Sequence, residues 1–148
     1  MIRPATVDDI EAIVEIGKVM HGESSYSDLP FDCEKVQFLM AGLINGHGVV
    51  FVAEKGGNII GGFAGGISEF WFCNSLHAFD YGLFILPEHR GGSAAIRLLS
   101  AFEHWAKAMG AVWCDIGITT GVHTEKTAGM YEKLGYHQSG VLFRKEVS

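Results

Sequence analysis

The spacing of apolar and polar residues changes period several times along this chain, and each change marks a predicted element. Ile2 to Ala5 reads as a first strand. Thr6 then caps a helix, with Asp8 and Asp9 in the first turn where the helix dipole favours negative charge. Val7, Ile10, Ile13, Val14, Ile16 and Val19 recur at helical spacing and predict its buried stripe. Gly22 to Phe31 loses the period and reads as a polar loop. Asp32 caps a second helix that runs to Leu43 or Ile44. Gly48 to Glu54 is a strand, Lys55-Gly56-Gly57-Asn58 a hairpin turn, and Ile59 to Phe72 a long returning strand. Asn74-Ser75 marks another turn, and His77 to Leu86 the next strand. A helix follows up to Gly110, then a strand over Val112 to Ile118 and a helix over Thr124 to Leu134, closed by Gly135. Tyr136 to Val147 carries one or two final strands around Ser139-Gly140. No internal repeat, low-complexity segment or linker interrupts the pattern, so residues 1–148 read as one domain of mixed α/β class.

One junction carries chemistry. The apolar strand residues Leu83, Phe84, Ile85 and Leu86 end at Pro87, which cannot donate to a sheet ladder. Glu88-His89-Arg90-Gly91-Gly92-Ser93-Ala94-Ala95 follows. Ile96, Leu98, Leu99, Phe102, Trp105, Ala106 and Met109 then recur at helical spacing. A turn of small residues therefore sits at a helix N-terminus directly after a buried strand. Free N–H groups and the positive end of the helix dipole make such a turn a place for phosphate oxygens. The turn contains neither Gly-x-Gly-x-x-Gly nor the Lys-Ser/Thr ending of a P-loop. A tight strand-to-helix connection with no ligand is the alternative reading of the same glycines.

Composition narrows the class. Apolar residues make up 48% of the chain, enough for a packed interior. The apolar runs are too short to span a bilayer, and Met1-Ile2-Arg3-Pro4 lacks the apolar core of a signal peptide. Cys33, Cys73 and Cys114 are odd in number and have no metal-ligand spacing, so free thiols in a reducing cytoplasm are expected, with no metal. The net charge of −6 argues against nucleic acid as a partner, which needs a basic face.

Two stretches resemble a known family. Leu83-Phe84-Ile85-Leu86-Pro87-Glu88-His89-Arg90-Gly91-Gly92-Ser93-Ala94 is similar to motif A of the GCN5-related N-acetyltransferases, the GNAT superfamily. Thr127-Ala128-Gly129-Met130-Tyr131-Glu132-Lys133-Leu134-Gly135-Tyr136 resembles that family's C-terminal helix and the strand after it. Their order, spacing and the chain length agree with the family over nearly the whole sequence. The resemblance implies a splayed mixed sheet of six or seven strands, with helices on both faces. It also implies acetyl coenzyme A as cosubstrate. The amides of Arg90, Gly91, Gly92, Ser93, Ala94 and Ala95 would hold its pyrophosphate, and Phe84, Ile85 and Leu86 would run beside its pantetheine arm. Thr124 falls where the family often has an asparagine near that arm. Glu88 stands where the motif usually opens with Gln or Arg, and Ser93 replaces a second glycine or alanine.

The same resemblance assigns catalytic roles. Tyr131 matches a tyrosine that protonates the departing thiolate, a task suited to a phenol of ordinary pKa near 10; a packed core tyrosine is the alternative. Glu69, His77 and Asp80 are the candidates for a base, with Glu69 chosen because it lies among Ile67, Phe70, Trp71 and Phe72. A solvent-facing strand carboxylate is the alternative, and the plainer, reading of that position, and strand parity leaves Asp80 facing either way. The loop after the first helix offers His21, Glu23, Ser24, Tyr26 and Asp28 to an acceptor. Glu23, Tyr26 and Asp80 are the expected acceptor-binding residues. The implied reaction is acetyl transfer to a primary amine of a small molecule or peptide, in a cytoplasmic protein that forms a homodimer in many relatives. A coenzyme-binding module without turnover is the rival, and a nucleotide-binding regulatory domain a weaker third.

Overall fold

The computed structural model describes all 148 residues. Five strands form one sheet in the order β1 (Ile2–Pro4), β2 (Gly48–Lys55), β3 (Asn58–Glu69), β4 (Leu76–Ile85) and β5 (Ala111–Asp115). Neighbours are antiparallel up to β4, and β5 runs parallel to β4. A parallel pair needs a crossover, supplied here by the helix α3 (Ala94–Ala108). The remaining helices are α1 (Ile10–Glu23), α2 (Cys33–Gly42) and α4 (Thr124–Lys133).

Two cores fill the two faces of the sheet. On one, Leu98, Leu99, Phe102 and Ala106 of α3 pack on Phe63 and Ala78, with Tyr131 of α4 at the edge. The rings of Phe63 and Phe102 are 4.3 Å apart between centroids. Gly65 makes room for this pair, because a Cβ there would lie 2.9 Å from the Phe102 ring. On the other face, Ile13 and Ile16 of α1 and Met40 of α2 cover Val50, Val52, Ala64 and Phe84. Arg3 ties β1 to the start of α1. It donates to both Asp9 carboxylate oxygens at 2.8 and 3.0 Å and to Glu54 at 3.2 Å. The Arg3 guanidinium holds the Asp9 carboxyl down to about 2.

Most boundaries lie within a few residues of those expected. Asp32 accepts from the amide of Lys35 as an N-cap. Two expectations fail. Val7 and Val19 are exposed, not part of the α1 stripe. A tight 3₁₀ turn occupies Val7–Asp9, so α1 begins at Ile10 and Val7 falls out of phase with it. The sheet has five strands, not six or seven, because Tyr136 to Val147 forms none. Val141, Leu142 and Phe143 are consecutive apolar residues, not an alternating set. Arg144 instead reaches Ser25 Oγ and the Ser25 carbonyl, each at 3.3 Å, and lies 4.5 Å above the Tyr26 ring. The tail thus turns toward the loop after α1.

A bulge in β4 settles the parity of its side chains. Ala64 pairs with Gly82 and Gly65 with Asp80, leaving Tyr81 without a partner. Before the bulge, Ala78 packs on the α3 side, and Asp80 shares its face. After it, Phe84 packs under α1 and α2 while Leu83 and Ile85 turn to the α3 side.

Candidate active site

β5 is paired with β4 only from Leu76 to Phe79. Beyond that point the two strands part. The amide of Gly117 donates to Asp80 Oδ1 at 3.2 Å across the opening. A cleft of about 1050 Å³ fills the gap. One wall is the released half of β4 from Asp80 to Ile85, and the other is Gly117 to Thr120 with α4 behind it. The loop after α1 roofs the opening. Ser25 donates its amide to the Thr120 carbonyl at 2.6 Å and its hydroxyl to the Thr119 carbonyl at 2.7 Å.

The glycine turn closes one end. Gly91 adopts φ +90°, a conformation that L side chains rarely take, and no atom lies within 4 Å of where a Cβ on Gly91 or Gly92 would be. The amides of Gly91, Gly92 and Ser93 have no backbone acceptor. Those of Ala94 and Ala95 stand free in the first turn of α3, whose hydrogen bonding starts with Arg97 donating to the Ser93 carbonyl. These open donors around an unfilled cradle fit a diphosphate, and no cluster of His, Cys, Asp or Glu is arranged to hold a metal ion.

Four members of the expected coenzyme set sit differently. The Arg90 amide donates to the Pro87 carbonyl at 3.3 Å and is not free. Its side chain enters the cleft instead, donating from Nε to the Ile85 carbonyl at 3.0 Å and from the guanidinium to Glu23. Ser93 lines a smaller cavity on the far side of the turn, with Lys55 and Arg97. Leu86 packs into the α1–α2 core, and its amide donates to the Ile60 carbonyl at 2.9 Å. Phe84, Ile85, Gly91, Gly92, Ala94 and Ala95 do line the cleft, whereas Thr124 is exposed beside it.

Asp80 and Tyr131 meet in the same gap. Burial pushes the Asp80 carboxyl up to about 6, against the opposing pull of the Gly117 amide. Tyr131 is buried, and burial together with the charge of Asp80 pushes its phenol up to about 12. It is both a core residue and a cleft residue, so the two readings of it hold together. Glu69 is displaced from this chemistry. It is exposed at the outer end of β3, paired with Leu76 and outside the cleft. The apolar neighbours that suggested burial belong to a hairpin tip where Trp71 and Phe72 are also exposed. His77 is likewise remote; its Nδ1 lies 2.8 Å from Asp115 Oδ2 where the strands are still paired.

On the acceptor side, Glu23 and Tyr26 line the cleft, but Glu23 is ion-paired with Arg90. His21 lines it too, and its buried Nε2 has no hydrogen-bond partner. Two further lining residues have no signal in the periodicity. His123 precedes α4 at φ +48°, a left-handed conformation that few residues besides glycine and asparagine tolerate. Lys126 lies on the first turn of α4.

The acetyltransferase (GNAT) family profile matches residues 11–136. A comparison with curated proteins finds no match. Among solved structures, an aminoglycoside acetyltransferase from an uncultured soil metagenomic sample superposes with a TM-score of 0.75 at 18% identity, covering 100% of this chain and 98% of that one. A transcriptional regulator from Bacillus halodurans gives 0.78 at 19% identity over 99% of each chain. A ribosomal-protein-alanine N-acetyltransferase from Brucella melitensis gives 0.74 at 12% identity over 100% and 99%. Three differently described proteins share the fold about equally, so the fold does not choose among acceptors.

Proposed function

Because the chain belongs to the acetyltransferase (GNAT) family, we propose that it transfers the acetyl group of acetyl-CoA to a primary amine of a small molecule or peptide. The observation that carries this reading is the single cleft that joins the open amides of the glycine turn to the half-buried Asp80 carboxyl and the buried Tyr131 phenol. Acetyl-CoA supplies an activated thioester when bound. The amides of Gly91, Gly92, Ala94 and Ala95 are the donors available to its phosphates, and the unpaired edge of β4 at Leu83 and the Ile85 amide is available to its amide-bearing arm.

The protein's own groups divide the proton work. An alkylamine is mostly ammonium at neutral pH and must shed that extra proton before its lone pair can attack a carbonyl. Asp80, with its carboxyl near 6, is ionised at neutral pH yet basic enough to accept that proton at a carboxylate oxygen. Tyr131, pushed up to about 12 by burial and by the Asp80 charge, keeps its hydroxyl proton across the working range, and it becomes a stronger acid toward the thiolate once Asp80 has taken the ammonium's proton and lost that charge. Asp80 thus takes the role first considered for Glu69.

Thermal unfolding with acetyl-CoA, coenzyme A and ATP tests the reading, since a ligand of the native state must raise the midpoint. A rise with the two thioester-related ligands and not ATP is expected, followed by thiol release in an amine screen. No rise at millimolar coenzyme sinks it. A rise with no turnover on any amine would support the rival binding module.

A further inference from the structure

One ion pair crosses the cleft between the two sites just described. Glu23 is the last residue of α1, immediately before the Ser24–Ser25 roof. Arg90 belongs to the glycine turn, beside the open amides of Gly91 and Gly92. Both guanidinium arms of Arg90 donate to the two Glu23 carboxylate oxygens, and Nε is anchored on the Ile85 carbonyl. The side chains are 29% and 30% exposed, so solvent screens the pair and its net strength is small. A diphosphate resting on the turn brings more negative charge to the same guanidinium than one carboxylate does, and a planar arginine fork suits phosphate oxygens as well as it suits Glu23. Arg90 cannot serve both fully.

Resting on the coenzyme reading above, we propose that Arg90 is a phosphate ligand held in reserve by Glu23, and that coenzyme binding draws it away and leaves the Glu23 carboxylate open to a cationic acceptor. The empty protein keeps its acceptor-side carboxylate neutralised. Loading the coenzyme first exposes a negative charge on the roof, one residue from the segment that bridges to Thr119 and Thr120. Arg90 and Glu23 act here as positioning residues that couple the two substrates, because the free energy that moves Arg90 must appear reciprocally in both affinities.

Calorimetric titration of coenzyme A into the full chain tests the competition, using wild type, Glu23→Gln, Arg90→Gln and the double variant. Glu23→Gln should tighten binding by roughly two- to fivefold, the worth of the exposed pair it removes. Arg90→Gln should weaken binding about tenfold or more through loss of a charged donor. In the double variant the gain from Glu23→Gln should vanish. An unchanged or weakened affinity in Glu23→Gln overturns the proposal. So does a gain that persists without Arg90, which would be a simple effect of net charge. Carbodiimide labelling with glycine ethyl ester, read by mass spectrometry at Glu23, tests the release itself. Labelling should accelerate when coenzyme A is added to wild type and should already be fast in Arg90→Gln. A rate that coenzyme leaves unchanged or slows overturns it. Wild type that binds no coenzyme at all removes the functional reading and this one together, whereas wild type that binds with no response at Glu23 removes only this one.

Discussion

The two halves of β4 share one strand and do different things. From Leu76 to Phe79 the strand is paired on both edges, to β3 and to β5. Its polar groups there make structural bonds, as His77 does with Asp115, and the His77 ring stacks with Phe70. From Asp80 to Ile85 the β5 edge is released, a bulge reverses the side-chain parity, and the backbone lines the cleft. The carboxyl with the raised pKa stands at the first residue of the released half. Pairing consumes backbone donors and acceptors, so a strand can offer them to a ligand only where pairing stops.

Four substitutions sharpen this contrast. Gly91→Glu, at the far end of the released half, should have the largest effect. It adds a carboxylate to the diphosphate cradle and forces a side chain onto a φ of +90°. Loss of three charge-assisted bonds at about 1.5–3 kcal/mol each weakens coenzyme A binding by roughly 10³–10⁶-fold, as calorimetry would read. Undiminished binding would place the coenzyme elsewhere.

Asp80→Asn comes next. Turnover at neutral pH should fall by roughly 10²–10⁴-fold, and the rise in kcat/KM through about pH 6 should disappear. Stability should move the other way. The folded carboxyl binds its proton more tightly than the unfolded one at 3.8, so stability falls as pH rises from about 4 to 6 and stays reduced above that. Asn retains an oxygen for the Gly117 amide and carries no charge, so the melting midpoint should rise, most clearly above pH 6. A variant that is less stable at pH 8, or fully active, contradicts the assignment.

Tyr131→Phe keeps the ring in the core and removes only the hydroxyl. Turnover should drop by about ten- to a thousandfold, with coenzyme affinity nearly unchanged in the same titration. Equal losses in both would mean that the phenol is a binding or packing group. Glu69→Gln, on the paired side of the contrast, should change turnover less than about twofold and stability by no more than roughly 0.5 kcal/mol. A large kinetic defect there would return Glu69 to the mechanism and erase the distinction between the two halves.

The glycine turn was legible in sequence because its signal is local. Pro87, Gly91, Gly92 and a helical period starting at Ile96 are enough to place open amides after a buried strand. Tyr131 was legible through its motif. Asp80 was named without a direction, because side-chain parity along a strand assumes an unbroken ladder and the unpaired Tyr81 breaks this one. Glu69 misled because apolar neighbours in sequence imply burial only if the strand end is covered, and here it is a hairpin tip. His123 and Lys126 gave no signal, since a left-handed residue before a helix and a cleft-facing lysine depend on where α4 lands.

What the sequence determined by itself is therefore whatever short-range chemistry encodes: the order of helices and strands, the caps and turns, and the open amides of the glycine turn. The tertiary structure alone decided which strand carboxylate lines the cleft, that the Arg90 side chain is drawn to Glu23, that the C-terminal segment stays off the sheet, and that Ser25 closes over Thr120. Each of these depends on partners tens of residues apart. Burial and charge pairing are sums over such neighbours, and they take a value only once the chain has brought them together.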